Sequence, residues 1–275
     1  MISRRLFLGA SSAAVASELF GAGTDNKSPN PALEKLAAAA LREAKKLKTT
    51  YCDIRINRYH DQNVGIRLSP ERGTGKTLEV PNVNDTESFG FGVRVIVDGA
   101  WGFAASPIVT PEEIVRMTGE AVTVARANAS ITKQRVVLAP VKAYKDRWTS
   151  PFERNPFDVP IAEKLELLRE ATGETKKNRR VFNSFGSLNF HSEDKYFASS
   201  EGSSIQQLIV QSFAILNATA VDVSKGLSKS RMYVPPPLSI GYEFVPQMKL
   251  RIISIRRSKA ATTCSPRFVR NRRPG

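Results

Sequence analysis

The chain has 275 residues, 41% hydrophobic and 24% charged, which supplies apolar material for one large or two modest cores and excludes a chain disordered throughout. Lys and Arg number 41 against 26 Asp and Glu, a net charge of +15, yet nine of the basic residues follow Glu243 and no acidic residue does. The body is therefore only weakly basic, and with Cys52 and Cys264 as the only cysteines a disulfide framework is excluded as well.

Residues 1–27 read as an address. A charged start is followed by an Ala- and Ser-rich, mildly apolar stretch and by small residues, with a cut expected after Gly23. Arg4 and Arg5, separated from Phe7 and Leu8 by one residue, resemble the twin-arginine export motif, so export to an extracytoplasmic compartment is expected. No other stretch approaches the ~20 apolar residues that a bilayer span needs.

A polar linker leads to Ala32–Lys48, where Leu33, Leu36, Ala37, Ala40, Leu41, Ala44 and Leu47 recur at the helical period and lysines gather at the end the helix dipole favours. From Tyr51 the period becomes two. Cys52, Ile54 and Ile56 and then Val64, Ile66 and Leu68 predict two half-buried strands joined by a turn at His60-Asp61-Gln62. In Ser88–Phe103, Val93, Val95 and Val97 alternate with Arg94, Ile96 and Asp98. Asp98-Gly99 supplies the positive φ angles of a tight hairpin turn, and the partner strand starts at Ala100. Thr110-Pro111-Glu112-Glu113 predicts a helix start with a Thr cap, a first-turn Pro and a capping-box Glu.

Residues 140–160 read as a Pro-containing connector held by Trp148, Phe152 and Phe157, and Ile161, Leu165, Leu168 and Ala171 predict a third helix. From Val181 to Val223 the strand period returns in several pieces, with Glu201-Gly202 as a turn. The expected fold class is α+β, antiparallel hairpins with segregated helices. From Ile252 the chain shows neither period and reads as a basic, non-native or disordered tail.

Motifs that carry chemistry are weak. Gly73-Thr74-Gly75-Lys76-Thr77 ends like a phosphate-binding loop, but Pro70 stands where that loop needs Gly, and Pro81 opposes the helix that should follow. Gly90-Phe91-Gly92 lacks the third glycine of a dinucleotide signature. His60 and His191 are the only histidines, and Glu193 and Asp194 beside His191 are expected to face solvent. There is no Gly-x-Ser-x-Gly elbow, so no self-contained active site is expected.

Three stretches do carry a resemblance: SFGFGVRVIVDGAWGFAAS from Ser88, KYFASSEGSSIQQ from Lys195 and GYEFV from Gly241. With the capped helix after the first, they resemble the N-terminal region of TldD/PmbA-type metalloproteases, over roughly residues 32–250. The resemblance implies a domain at 32–223, then the start of a linker at 224–251 toward a zinc-bearing domain. It implies proteolysis of peptides by the complete family member, with zinc as its cofactor, and a TldD- or PmbA-like subunit and an extended peptide as partners.

No residue of the family's zinc motif can be matched here, so a truncated chain, inactive alone, is expected. It would supply channel wall and subunit contact. Phe91, Arg94, Trp101 and Phe103 are the candidate peptide or partner surface, flanked by the turns at Asp98-Gly99 and Glu201-Gly202, with edge strands expected around 89–97 or 208–216. A stand-alone binding module is the alternative, and nucleic-acid binding through the basic tail a weaker one.

Overall fold

The computed structural model describes residues 29–71 and 73–250, together with Ile253, Arg256, Lys259 and Ala261. Helix α1 (Pro31–Lys46) starts where the Asn30 side chain accepts from the Ala32 amide at 2.9 Å, and it turns Leu33, Ala37, Ala40 and Ala44 inward. Strands β1 (Tyr51–Pro70), β2 (Thr77–Val97) and β3 (Ala100–Ser106) follow, then helix α2 (Pro111–Ala129). Strand β4 (Lys145–Thr149), helix α3 (Ile161–Lys176), strands β5 (Val181–Ser199), β6 (Ser204–Asp222) and β7 (Leu227–Tyr233), and the short helix α4 (Phe244–Gln247) complete the order. The sheet is mostly antiparallel, in the order β3-β2-β1-β5-β6-β4 with β7 also on β6, so the fold class is α+β.

By its contacts the chain forms two compact units, each assembled from three separated segments: residues 1–60, 86–150 and 192–209 in the first, and 61–85, 151–191 and 210–275 in the second. The first unit packs Leu33 and Ala37 of α1, Ile54 and Ile56 of β1, Val93 and Val95 of β2, Tyr196 of β5 and Ile114, Ala121 and Val122 of α2 into one core. The second gathers Val64 and Ile66 of β1, Leu168 of α3, Leu188 of β5, Leu216 of β6 and Tyr242. In both, alternate residues of the buried strand segments enter the core and the others line the open face of the sheet.

Three expectations are corrected by these elements. His60-Asp61-Gln62 is not a turn: β1 runs through it, because His60 and Arg58 pair with Glu87 in the first unit while Gln62 donates to Asp85 at 2.7 Å in the second. The true hairpin loop is the glycine-rich stretch at 71–76, where Gly73 and Gly75 take φ of 81° and 70° and the Glu71 amide donates to Lys76 O at 2.8 Å.

Residues 224–251 are not a linker either. β7 pairs with β6 from Leu216↔Tyr233 to Asp222↔Leu227, Ser212 bridges Leu238, and Tyr242, Val245, Met248 and Leu250 are buried in the core of the second unit. In the tail the four described residues are helical where the sequence shows no period, with Ala261 buried against Val181, Ala218 and Ala220. The rest of the tail and the expected signal at 1–27 lie outside the described residues.

The Asp98-Gly99 hairpin forms as expected, with φ of 49° and 75°, and so does the Thr110 cap, whose Oγ1 accepts from the Glu113 amide at 3.3 Å. The reciprocal half of the capping box does not. The Thr110 amide already donates to Ile108 O, and the Glu113 carboxylate turns to Arg116 at 2.7 Å.

Candidate functional site

In the first unit a groove of about 540 Å³ lies over the open face of the sheet, lined by β1, β2 and β3. Register explains it. Gly92 pairs with Ala105 and Arg94 with Phe103, so even positions of β2 and odd positions of β3 share the open face. Gly90 and Gly92 leave the floor bare. A Cβ at Gly92 would lie 2.8 Å from the Phe103 ring, and one at Gly90 3.0 Å from Ser106 O. Phe103 stands over this floor with 58% of its surface exposed.

β1 supplies the polar wall. Asn57 donates to the Tyr59 hydroxyl at 2.8 Å and to Glu193 Oε1 at 3.0 Å, and Tyr59 itself donates to Glu193 at 3.2 Å. Burial, with Glu193 beside it, pushes the Tyr59 phenol up from its ordinary value, so it stays a neutral donor.

Arg94 is fixed. Its Nε and Nη2 engage the fully buried Asp53 carboxylate at 2.7–3.1 Å, which holds the guanidinium pKa above its ordinary value, and its plane lies 5.3 Å from the Trp101 ring. Trp101 in turn meets Tyr51 edge-on at 5.7 Å. Burial and Asp53 raise the Tyr51 phenol well above its usual range. Arg55 differs: its Nη1 is 3.8 Å from Asp53, its guanidinium lies 5.4 Å from the Phe197 ring, and 42% of its side chain is exposed. The arrangement offers an apolar floor, a firm aromatic lip and one loosely held cation, which suits binding of an extended chain.

A family model described as PmbA/TldA metallopeptidase domain 1 matches residues 78–125, and one described as the PmbA/TldA metallopeptidase central domain matches residues 154–242. The chain belongs to the TldD/PmbA metallopeptidase family. A curated metalloprotease of Methanocaldococcus jannaschii is 30% identical over 178 residues, 62% of this chain but 36% of its own length.

Among solved structures, TldE from Thermococcus kodakarensis is similar at a TM-score of 0.53 and 13% identity, over 84% of this chain and 46% of that one. A Thermotoga maritima protein named for modulation of a DNA gyrase matches at 0.58 and 16%, over 83% and 47%. At those identities the solved structures show a shared fold. The chain thus spans under half the length of each of these relatives. The domain 1 match begins in β2 and carries the groove's β2 and β3 walls, whereas Arg55, Asn57 and Tyr59 lie before it.

Of the surface expected from sequence, Arg94 and Phe103 line the groove and Trp101 braces Arg94. Phe91 borders the groove as well, but its expected exposure is corrected: it is 4% exposed, because its odd register on β2 turns it into the core with Val93 and Val95. The expected edge strands are corrected too. β2 is flanked by β1 and β3, and β6 is covered by β4, β7 and the Ser212–Leu238 bridge, so the outer strands are β3 at one end and β4 and β7 at the other.

Asp98-Gly99 closes the β2–β3 hairpin, and Glu201-Gly202 closes β5–β6, with Gly202 at φ 96° and its amide donating to Ser199 O at 3.0 Å. Arg4, Arg5, Phe7 and Leu8 lie outside the described residues. Asp194, expected in solvent, is buried on the core face of β5, and His191 pairs with Asp61 at 2.7 Å.

The sequence reading missed Arg55, Asn57 and Tyr59. Their signal was present as the alternate set of β1, Asp53-Arg55-Asn57-Tyr59, which faces away from Cys52, Ile54 and Ile56.

Proposed function

We propose that this chain is the non-catalytic N-terminal portion of a TldD-type zinc metallopeptidase, supplying a stretch of substrate-channel wall and a contact for a TldD- or PmbA-like subunit. The observation that carries the reading is the groove over the open face of β1, β2 and β3. An extended peptide lying on that face can set side chains against Phe103 and the bare glycine floor, and β3 at the end of the sheet leaves a strand edge beside it for backbone hydrogen bonds, which are largely independent of sequence. Zinc is the cofactor the family name implies. Among the described residues no group of three or more His, Cys, Asp or Glu could hold a metal ion, so no described part of this chain fits it.

Export through Arg4, Arg5, Phe7 and Leu8 belongs to the same proposal, and no helix among the described residues is long and apolar enough to cross a membrane. The test is binding of a fluorescein-labelled unfolded peptide by the full chain, with Phe103→Asp as the probe because its ring is already exposed. Binding should weaken about tenfold while the melting temperature holds. An unaltered chain that binds no peptide would remove the channel-wall reading, and failure to co-elute with a TldD- or PmbA-like subunit would remove the subunit contact.

A further inference from the structure

The structure assigns to the groove a carboxylate subsite at Arg55, so that the extended chain it receives is favoured when it carries a free carboxylate, either its own C-terminus or an acidic side chain. The inference rests on the peptide reading above and adds its chemical preference. Two cations, Arg55 and Arg94, line the groove, and they are not equivalent. Arg94 spends its fork on Asp53, with three contacts at 2.7–3.1 Å that occupy both carboxylate oxygens. Arg55 reaches that carboxylate only at 3.8 Å, beyond hydrogen-bond range, and makes no hydrogen bond of its own among the described residues.

The other acid beside the groove, Glu193, is already met by Asn57, Tyr59 and Lys195. Arg55 is therefore a guanidinium set 5.4 Å from the centre of the Phe197 ring with its donors unspent, at the wall of a cavity whose floor is apolar. A planar fork of N–H donors fits a carboxylate in bidentate fashion, and charge-assisted bonds of that kind are about twice as strong as neutral ones.

The test uses the full chain and three labelled short peptides of Ala, Val and Gly, read by anisotropy near neutral pH and low salt. One ends in a free acid, one in an amide, and one in an amide with an internal Glu. At least one acidic peptide should bind about tenfold tighter than the neutral amide. Preference for the free acid alone identifies a chain terminus, and preference for the Glu amide alone identifies a side chain.

Arg55→Met, which keeps a long apolar side chain at that position, should bring the favoured peptide down to the level of the neutral amide. If that variant does not fold, the same preference in the unaltered chain should shrink as salt is raised. Equal binding of all three peptides, or a preference that survives Arg55→Met or high salt, overturns the carboxylate subsite while the peptide reading stands. No binding of any peptide overturns both.

Discussion

Asp194 sits 7% exposed on the core face of β5, beside Tyr196, with one carboxylate oxygen buried and unpartnered. Burial raises its pKa from 3.8 to about 7, opposed by a hydrogen bond from Gln206 and by Arg147 and Arg58. A raised acid pKa means that the folded chain holds a proton the unfolded chain has released. This contribution is therefore fully present below pH 3.8 and is lost as pH rises toward about 7. Asp194→Asn should match the parent in acid and exceed it above neutrality by ~1–2 kcal/mol, since the neutral amide resembles the protonated acid. Urea melts at both ends of that window decide it, and a pH-independent difference would refute the assignment.

Lys164 has the opposite sign. Fully buried among Gln62 Oε1, Pro156 O at 2.6 Å and the Phe190 ring, it is driven by desolvation from 10.5 down to about 8. Here the unfolded chain binds the extra proton, so stability gains a rising component between about 8 and 10.5. Lys164→Met should lose that rise and also destabilise at every pH, by leaving the Gln62 and Pro156 oxygens unpaired.

Helix α2 lies directly on β3, and Gly102 is the point of closest approach. A Cβ there would fall 1.9 Å from Ala121 O and 2.6 Å from the Ala125 amide nitrogen, both main-chain atoms that cannot swing aside. Gly102→Ala should therefore cost at least ~3 kcal/mol or prevent folding. Gly119, within α2 itself, has nothing within 4 Å of its Cβ position, and Gly119→Ala should stabilise by ~0.5–1 kcal/mol through helix propensity alone. Melting curves of the two variants should move in opposite directions, and equal shifts would mean that α2 does not press on β3 as described.

The same pair of elements shows what the sequence makes legible. Asp98-Gly99 and Thr110-Pro111 fix the hairpin and the helix start because each acts through its immediate neighbours. β2 from Thr77 to Glu87 was hidden, since it is exposed on both faces and its polar residues carry no alternation. β1 through His60-Asp61-Gln62 was hidden for another reason: partners 23 to 130 residues away in sequence meet those polar residues, and no local pattern announces them. The groove is legible in part. Gly90, Gly92 and Phe103 could be marked as unusual from the sequence, but Arg55 and Tyr59 join them only through the β1–β2 neighbourhood.

The family's domain 1 match covers residues 78–125, yet the first unit cannot be cut from the chain along those bounds. Its core needs Leu33, Ala37 and Ala40 of α1, Ile54 and Ile56 of β1, and Tyr196 and Ala198 of β5, contributed from far before and far after the matched stretch. A fragment of residues 78–125 keeps Val93, Val95, Ile114 and Ala121 but exposes the faces those distant residues cover. At ~25 cal/mol per Å² of apolar surface, and with only a hairpin and one helix to share it, such a fragment cannot offset its chain entropy. We expect it to show no cooperative thermal transition by circular dichroism, while the full chain does. A cooperative melt from the isolated 78–125 fragment would show that the matched stretch is an autonomous fold, and that the long strands entering the unit from β1 and β5 are additions to a core already complete without them.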